Sequence, residues 1–245
     1  MSVEIANPVK RIIQAAVQAA VRFGHGAVTA DHLLYALLSD NAAAALLGRC
    51  GCDLLHVERE LLEYLELLPE QSGRVLRDPR SDATFTRVIE TAALRALRAG
   101  KPLIEIADLL VPILDQSTSY ASMLLGAEGL TRLELLRCVS HGTPAPPLYR
   151  SGQGGQGGVR APGARVHVVL HNDHYTGMEF VVRVLEEVFA HSERAAAARM
   201  MQVHTEGRAL VGSFELAVAL AKAEEVRALA TEAGFPLLCT VEEAG

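Results

Sequence analysis

The stretch PAPPLYRSGQGGQGGVRAPG, residues 144–163, divides the sequence into two parts of different composition. Pro and Gly fill ten of its twenty positions, and few of its side chains could pack in a core. We expect a flexible linker with a root-mean-square reach of roughly 25 Å. The chain is therefore predicted to form two domains, 1–143 and 165–245, joined by a linker over 144–164.

The composition limits the classes of protein that this sequence can encode. Its 245 residues can bury two ordinary cores, and 50% of them are hydrophobic. The net charge of −6 gives no reason to expect nucleic acid or an anionic membrane as partner. Because no apolar run reaches about 18 residues and no signal peptide opens the sequence, we expect a cytoplasmic protein. The four cysteines lack CxxC spacing, which predicts free, mostly buried thiols.

The part before the linker contains an internal repeat. RIIQAA from Arg11 matches RVIETA from Arg87, and LLYALL from Leu33 matches LLVPIL from Leu109 at the same shift along the chain. LLGRCGCDLLHV and LLGAEGLTRLEL match further along, at a slightly longer shift. Apolar residues recur at i, i+3 and i+4, which predicts helices with one face to bury. Each copy predicts helix, short loop, helix, turn, helix, with Thr29 capping the second helix of the first copy. Stacked together, the two copies would form one all-α domain.

Two pieces of this repeat domain, TADHLLYALLSD and LLRCVSHGTP, resemble a known family. Over residues 7–143 the sequence is similar to the double helical-repeat N-terminal domain of the Clp-type AAA+ unfoldases, ClpA in particular. The resemblance implies a docking platform for adaptors and substrates rather than a catalytic unit. The sequence contains no GxxxxGK[ST] motif, so we expect no ATP site of the Walker kind.

After the linker the pattern changes to a mixture of strands and helices. The β-branched run RVHVVLH from Arg165 predicts a strand. Two helices should follow, the first over 178–189 and the second between Ser192 as N-cap and Gly207 as C-cap. RALVGSF predicts a second strand, ELAVALAKAEEVRALATEAG a third helix and FPLLCTVEE a last strand. The order βααβαβ indicates a small α+β domain, in which a three-stranded sheet is covered on one face by three helices.

The loop after the first strand, HNDHYTGM from His171, concentrates polar side chains and allows three interpretations. A metal site would draw its ligands from His167, His171, Asp173, His174 and His204. Against a metal site, His167 and His171 share one face of the predicted strand, as ordinary exposed histidines would. A hydrolase is disfavoured because Ser213 lies in no GxSxG motif, no HExxH motif occurs and no cysteine has an evident base. We therefore expect no metal, no cofactor and no enzymatic activity.

The third interpretation is a binding pocket for a small charged ligand. Asn172 and Asp173 follow the strand, where their side-chain oxygens can point outward as hydrogen-bond acceptors. The next two helices each present side chains on one face, first Met178 and Val181, then Met200, Val203 and His204. Acceptors beside an apolar hollow suit a ligand with an ammonium group and one bulky apolar side chain. Met200 and Val203 fit equally well as ordinary core residues.

Three segments in order, NDHYTGMEFVV, RMMQVHTEGRALVG and GFPLLCTVEEA, resemble the ClpS adaptor family across nearly all of 165–245. ClpS proteins are bacterial N-degron recognition adaptors, which bind proteins starting with Phe, Leu, Tyr or Trp and deliver them to a Clp unfoldase and its peptidase. The resemblance implies that Asn172 and His204 hydrogen-bond the free α-amino group, with the charge of Asp173 nearby. Thr176 would hold the peptide backbone or shape the loop. The hollow for the first side chain would be lined by Met178, Val181, Met200, Val203 and Leu237.

The sequence departs from the ClpS pattern in the loop and on the third helix. His174 stands where the family usually has a second Asp, which should weaken capture of an amine, more so at low pH where an imidazole gains charge. Gly177 replaces a Pro, which should make the loop less rigid. The resemblance places a surface for docking on the unfoldase on the third helix, where Lys222 is kept and Ala217 replaces an acidic residue. Either residue also fits an ordinary solvated helix position.

In the two families that the sequence resembles, these domains belong to separate polypeptides that bind each other, whereas this sequence joins them in one chain. A linker of this length gives an effective concentration of roughly millimolar, so we expect the domains to pair within one chain or, as a swapped dimer, between two chains. The simple linker suits an engineered fusion as well as a natural one. Two other hypotheses stay open. One is a decoy or regulator of adaptor–unfoldase docking that does not read N-terminal residues, and the other is a histidine-based metal protein.

Overall fold

The structure is a computed structural model that describes residues 3–69, 79–150 and 165–243. The chain forms two compact units, Met1–Val139 and Ser140–Gly245. This boundary falls just before the predicted linker, of which residues 151–164 lie outside the described residues. In the ranges that are described, no helix is both long and apolar enough to cross a membrane.

The first unit consists of helices joined by short loops and by strands of two residues each. Its helices are α1 (Asn7–Arg22), α2 (Ala30–Leu38), α3 (Asn41–Arg49), α4 (Leu54–Leu67), α5 (Ala83–Arg98), α6 (Ile106–Leu114), α7 (Tyr120–Ala127) and α8 (Arg132–His141). Its strands are β1 (Glu4–Ile5), β2 (Ala27–Val28), β3 (Arg80–Ser81) and β4 (Leu103–Ile104). Several helices begin where a carboxylate accepts backbone N–H groups of the first turn, as Asp40, Asp53 and Asp82 do.

The predicted repeat is present in the structure. The shift that carries Arg11 onto Arg87 also carries α1 onto α5 and α2 onto α6, residue for residue. The short strands obey the same shift and pair in parallel across the two copies, β1 with β4 and β2 with β3. Within the described ranges each copy contains four helices, so the prediction of three is wrong. A glycine in the left-handed region splits the predicted third segment, Gly51 (φ 93°) in the first copy and Gly129 (φ 80°) in the second.

A buried carboxyl group in the first turn of α2 connects the two copies. Asp31 is 5% exposed, and its Oδ1 accepts a hydrogen bond from the backbone N of Ala121 in α7 at 2.7 Å. Its Oδ2 accepts from the Thr29 hydroxyl at 3.1 Å. Burial raises the pKa of Asp31 above its usual value, and the hydrogen bond from Ala121 acts in the opposite direction. The carboxyl group thus satisfies a backbone amide that would otherwise be buried without an acceptor.

The second unit has the predicted βααβαβ order, preceded by one short strand. Its elements are β5 (Tyr149–Arg150), β6 (Arg165–His171), α9 (Met178–Glu187), α10 (Glu193–Glu206), β7 (Arg208–Glu215), α11 (Leu216–Glu232) and β8 (Leu238–Glu243). The sheet order is β5-β8-β6-β7, and β6 runs antiparallel to both β7 and β8. Alternate residues of β6, Val166, Val168 and Leu170, belong to a core built with the three helices. The expectation of an all-α domain followed by a small α+β domain is therefore confirmed.

The short strand β5 comes from the segment that is predicted to be linker. Tyr149 pairs in parallel with Val241 of β8, whose backbone N donates to the Leu148 carbonyl at 2.6 Å. Arg227 Nη2 donates to the Pro146 carbonyl at 2.8 Å. Leu148 and Tyr149 also pack against the core of the second unit, although few side chains of this stretch were expected to pack. Strand β5 thus lies beside the edge of β8 and extends the predicted three-stranded sheet by a fourth, two-residue strand.

We expect Asp31→Ala to lower the free energy of unfolding of the first unit by about 1–3 kcal/mol, because the Ala121 amide loses its acceptor. Asp31→Asn keeps an oxygen at this position and is the matched control, so it should cost less. Urea unfolding of the full chain, with hydrogen exchange of α2 and α7 read by mass spectrometry, measures both variants. Equal losses for alanine and asparagine would contradict the role given to the Ala121 hydrogen bond.

Candidate functional site

The loop between β6 and α9 is held closed by one carboxylate. Asp173 Oδ1 accepts hydrogen bonds from the backbone N of Tyr175 at 2.8 Å and of Thr176 at 2.6 Å. Its Oδ2 accepts from the Thr176 hydroxyl at 2.7 Å. An Asp side chain that bonds to its own loop two and three residues on is a common way to stabilise a tight turn. Asp173 and Thr176 therefore shape the loop through contacts with each other.

Asn172 directly follows β6, and His204 lies near the end of α10. A backbone hydrogen bond joins the ends of this strand and this helix. The Asn172 N–H donates to the Gly207 carbonyl at 2.8 Å, which fixes the end of β6 beside the end of α10. His204 lies in the last turn of α10 and is exposed, whereas Asn172 is half-buried. Among the described residues, neither side chain has a hydrogen-bond partner. Both are thus available for a ligand that donates hydrogen bonds.

The apolar residues expected to line the hollow differ in their burial. Val181 of α9 is 6% exposed, Val203 of α10 is 3% exposed, and Leu237, just before β8, is 5% exposed. All three belong to one core cluster, and Met200 is half-buried against it. Met178, the first residue of α9, is 45% exposed instead. Four of the five expected lining residues thus belong to or pack against the core of this unit, whereas Met178 lies at the surface, and their role as the lining of a hollow stays a prediction.

The strand histidines that suggested a metal site are hydrogen-bonded to neighbouring strands. His167 Nδ1 lies 2.8 Å from Ser213 Oγ of β7, and His171 Nε2 lies 2.7 Å from Thr240 Oγ1 of β8. In the described part of the chain, no three His, Cys, Asp or Glu side chains are grouped so as to hold a metal ion. The histidines of β6 thus contribute polar cross-strand contacts on the face opposite the helices.

Comparison with known proteins assigns a family to each unit. The family model of the Clp repeat (R) N-terminal domain matches residues 4–127, and that of the ATP-dependent Clp protease adaptor protein ClpS matches residues 161–240. The ClpS adapter of Leptothrix cholodnii is 45% identical over 109 residues, which cover 41% of this chain and 90% of the relative. This chain belongs to both families. We call its two units the Clp repeat unit and the ClpS unit.

Two further relatives are ClpS proteins as well. The ClpS adapter of Vibrio cholerae is 43% identical over 83 residues, which cover 34% of this chain and 78% of the relative. Among solved structures, Agrobacterium tumefaciens ClpS2 bound to L-phenylalaninamide is 43% identical, with a TM-score of 0.33. The match covers 33% of this chain and 98% of that chain.

The two loop positions at which the sequence departs from the ClpS pattern, His174 and Gly177, are both exposed. His174 is exposed, so its imidazole is presented to solvent beside the residues that close the loop. Gly177 has φ −66° and ψ 139° at the N-cap of α9, and nothing lies within 4 Å of a Cβ placed there. This φ is the value that a proline ring imposes. The loop thus keeps a backbone that the proline of the family would fit.

Lys222 of the ClpS unit is engaged within its own unit. Its Nζ donates to the Val188 carbonyl at the C-cap of α9 at 2.6 Å. It also lies 5.7 Å from the ring centroid of Phe189 and 5.4 Å from that of Phe214. Ala217, one and a half turns earlier on α11, is exposed. The lysine thus stabilises the contact of α11 with α9, and the docking surface expected on α11 stays a prediction.

Sequence reasoning predicted Gly207 as the C-cap of α10 but missed its contact with the end of β6, and it missed Gly212 altogether. Gly207 (φ 79°) ends α10 in the left-handed region, and its carbonyl accepts from Asn172. A glycine at a helix end predicts a C-cap, but it does not predict which N–H group its carbonyl will accept. Gly212 leaves space for the Phe214 ring, because a Cβ there would lie 2.6 Å from a ring carbon. No pattern in the sequence reports such a close approach.

We expect Thr176→Val to loosen the loop, because it removes the hydroxyl that donates to Asp173 Oδ2 and costs roughly 1 kcal/mol of local stability. Amide hydrogen exchange measured by NMR should become several-fold faster at Tyr175 and Thr176. Thr176→Ser restores the hydroxyl and is the control that should exchange like the wild type. Unchanged exchange in the valine variant would show that the two backbone hydrogen bonds hold the loop alone.

Proposed function

We propose that the ClpS unit binds the free N-terminal residue of substrate proteins and selects bulky hydrophobic side chains, namely Phe, Leu, Tyr and Trp. It would present these proteins to a Clp AAA+ unfoldase and its protease. The observation that supports this most directly is that Asn172 follows β6 and His204 lies in the last turn of α10, two elements whose ends are joined by a 2.8 Å backbone hydrogen bond. The site needs no cofactor, and we assign the protein a non-enzymatic, cytoplasmic role.

The chemistry of the site suits an ammonium group attached to an apolar side chain. Each hydrogen bond from a protonated amine to an oriented acceptor contributes roughly 1.5–3 kcal/mol. Asn172 offers an amide oxygen and His204 a ring nitrogen, while Asp173 keeps a negative charge in the loop. Val203 and Met200 provide the apolar side, and the thioether of Met adapts to side chains of different shape. The ligand of the Agrobacterium tumefaciens relative, L-phenylalaninamide, combines a free amine with an aromatic ring.

The Clp repeat unit would provide docking within the same polypeptide. Since the repeat domain serves Clp unfoldases as a platform for adaptors, we propose that it pairs with the ClpS unit of its own chain or of a second chain. The tether keeps the effective concentration at roughly millimolar, which favours even a weak pairing. The exposed face of α11 around Ala217 is the surface that we assign to docking on a Clp repeat domain, whether in this chain or in a separate unfoldase.

A second candidate function follows from His174. An exposed imidazole in place of a carboxylate lowers the negative charge beside the amine site. If this change abolishes amine capture, the chain would act as a decoy or regulator that occupies Clp docking surfaces without reading N-terminal residues.

The central test is a fluorescence anisotropy titration of the full chain with peptides that start with Phe, Leu, Tyr or Trp. We expect micromolar affinity that requires the free amine, because acetylation removes the charge and its hydrogen bonds. Asn172→Ala and His204→Ala should each weaken binding at least tenfold. Arg194→Ala, at the opposite end of α10 and about 15 Å along the helix, is the matched control and should bind normally.

Two outcomes of the titration would overturn the proposal. Equal binding of acetylated or Glu-first peptides would show that the site does not read an N-terminal residue. Absence of binding to any peptide, with the ClpS unit folded by circular dichroism, would leave the decoy function as the better account.

We expect His174→Asp to strengthen binding of a Phe-first peptide by about two- to fivefold, because an added surface carboxylate attracts the ammonium group. His174→Asn is the neutral control and should give less than the full gain, because it adds no charge. The same anisotropy titration measures all three proteins, and identical affinities would exclude a role for this position.

A further inference from the structure

The first copy of the repeat contains a buried pair of histidines. His25, in the turn after α1, is 6% exposed, and His32, in the first turn of α2, is fully buried. His25 Nδ1 lies 2.8 Å from His32 Nε2, and the rings meet edge to face at 5.1 Å between centroids. This hydrogen bond joins the end of the α1 turn to the start of α2.

The second copy has a different pair at the same place. The shift that relates the copies carries His25 onto Lys101 and His32 onto Asp108, whose Nζ and Oδ1 lie 3.2 Å apart as an ion pair. Asp108 and His32 each cap the helix in which they lie. Asp108 Oδ2 accepts from the Glu105 N–H at 2.9 Å, and His32 Nδ1 accepts from the Thr29 N–H at 3.1 Å. The two copies thus share a backbone frame but differ in the chemistry of one buried pair.

The hydrogen bonds of the first copy fix where the protons lie. Because the Thr29 N–H donates to His32 Nδ1, that nitrogen carries no proton, and neutral His32 is protonated on Nε2. The Nε2–H of His32 then donates to His25 Nδ1, which must also be unprotonated. A proton added to His25 Nδ1 would face the Nε2–H of His32. A proton added to His32 Nδ1 could be accepted by the Thr29 hydroxyl, 2.9 Å away, but it would take the acceptor from the Thr29 N–H and break that helix cap. All of these hydrogen bonds are therefore kept only when both rings are neutral.

The charged groups near His32 do not offset the cost of charging this buried ring. Phe23 stacks on His25 at 5.7 Å between centroids, and Arg22 lies over Phe23 at the end of α1. The nearby carboxyl groups are Asp31, which already binds Thr29 and Ala121, and Asp82, which favours the charged form of His32. Burial, followed by His25, outweighs Asp82 and lowers the pKa of His32 from 6.5 to about 4.

We propose that the His25–His32 pair is an acid-sensitive latch of the first copy, which opens on protonation while the Lys101–Asp108 pair keeps the second copy closed. Opening frees the N-terminal turn of α2, which carries Asp31 and its hydrogen bond to Ala121 of α7. A local proton event in the first copy would therefore weaken the contact between the two copies. This device belongs to the Clp repeat unit and does not depend on peptide binding by the ClpS unit.

The direction of the effect follows from the two protonation states. An unfolded or opened segment takes up protons near pH 6.5, whereas the folded pair resists them until about pH 4. The stabilisation is thus fully present above pH 6.5 and is lost as the pH falls from about 6.5 to about 4.

The experiment is hydrogen exchange of the full chain by mass spectrometry at pH 7 and pH 5, corrected for the intrinsic exchange rates. We expect the opening equilibrium of peptides from α2 to rise on the order of tenfold at pH 5, while the equivalent peptides from α6 change little. The double variant His25→Lys/His32→Asp transplants the pair of the second copy, keeps Asp31 and Asp82, and should abolish the difference. Equal pH responses of α2 and α6 in the wild type would overturn the proposal.

A second measurement covers the case in which the double variant does not fold. Long-range ¹H–¹⁵N NMR of histidine in the wild-type chain reports which ring nitrogens carry protons. We expect both His25 and His32 to be protonated on Nε2 at pH 7, with no titration of His32 above pH 5. Titration of His32 near pH 6.5 without any loss of protection in α2 would contradict the latch.

Discussion

The hydrogen bond from the Asn172 N–H to the Gly207 carbonyl is the constraint on which the ClpS unit depends. At 2.8 Å it joins the end of β6 to the end of α10, two elements separated by the whole of α9. The loop that starts at Asn172 and the last turn that carries His204 are placed together by this bond. Because valines of α9 and α10 lie in the same core, this bond and the packing of the two helices act together on the position of the loop and of the last turn of α10.

The structure gives Asp173 a role that family resemblance alone does not suggest. Its two oxygens accept three hydrogen bonds from its own loop, two from backbone amides and one from the Thr176 hydroxyl. The carboxylate therefore acts first as a positioning group, although its charge remains close to the site. Direct contact with an amine would then fall mainly on Asn172 and His204. The replacement of a second carboxylate by His174 matters more in a loop whose remaining carboxylate is already occupied.

The Clp repeat unit shows how duplication can preserve a backbone while changing its electrostatics. Helices and cross-copy strands follow one shift, yet one copy buries an ion pair and the other a neutral imidazole pair. The Lys–Asp pair is held by opposite charges, whereas burial opposes an added proton on the facing imidazoles. The two copies thus have the same shape and different dependence on pH.

The fold was largely predictable from the sequence because it rests on local patterns. Apolar spacing and the internal repeat predicted the helical make-up of the first unit, and strand patterns with the Ser192 and Gly207 caps predicted the order of elements from β6 to β8, but the two-residue strands β1–β4 were not predicted. The fourth helix of each copy was missed because a single glycine in the left-handed region separates two helices that read as one apolar segment. Strand β5 was missed since its pairing partner, β8, lies at the far end of the ClpS unit in sequence.

For the site, the sequence by itself determined which residue types are present and, through family resemblance, which of them are expected to contact a ligand. Only the tertiary structure decided their partners: Lys222 binds the Val188 carbonyl, Met178 lies at the surface and Asp173 closes its own loop. The physical reason is that a hydrogen bond depends on distance and direction in space, whereas spacing along the chain constrains neighbours only within an element. The buried histidine pair shows the same limit. The sequence contains both histidines, but the backbone amide that binds His32 and the burial of both rings appear only in the tertiary structure.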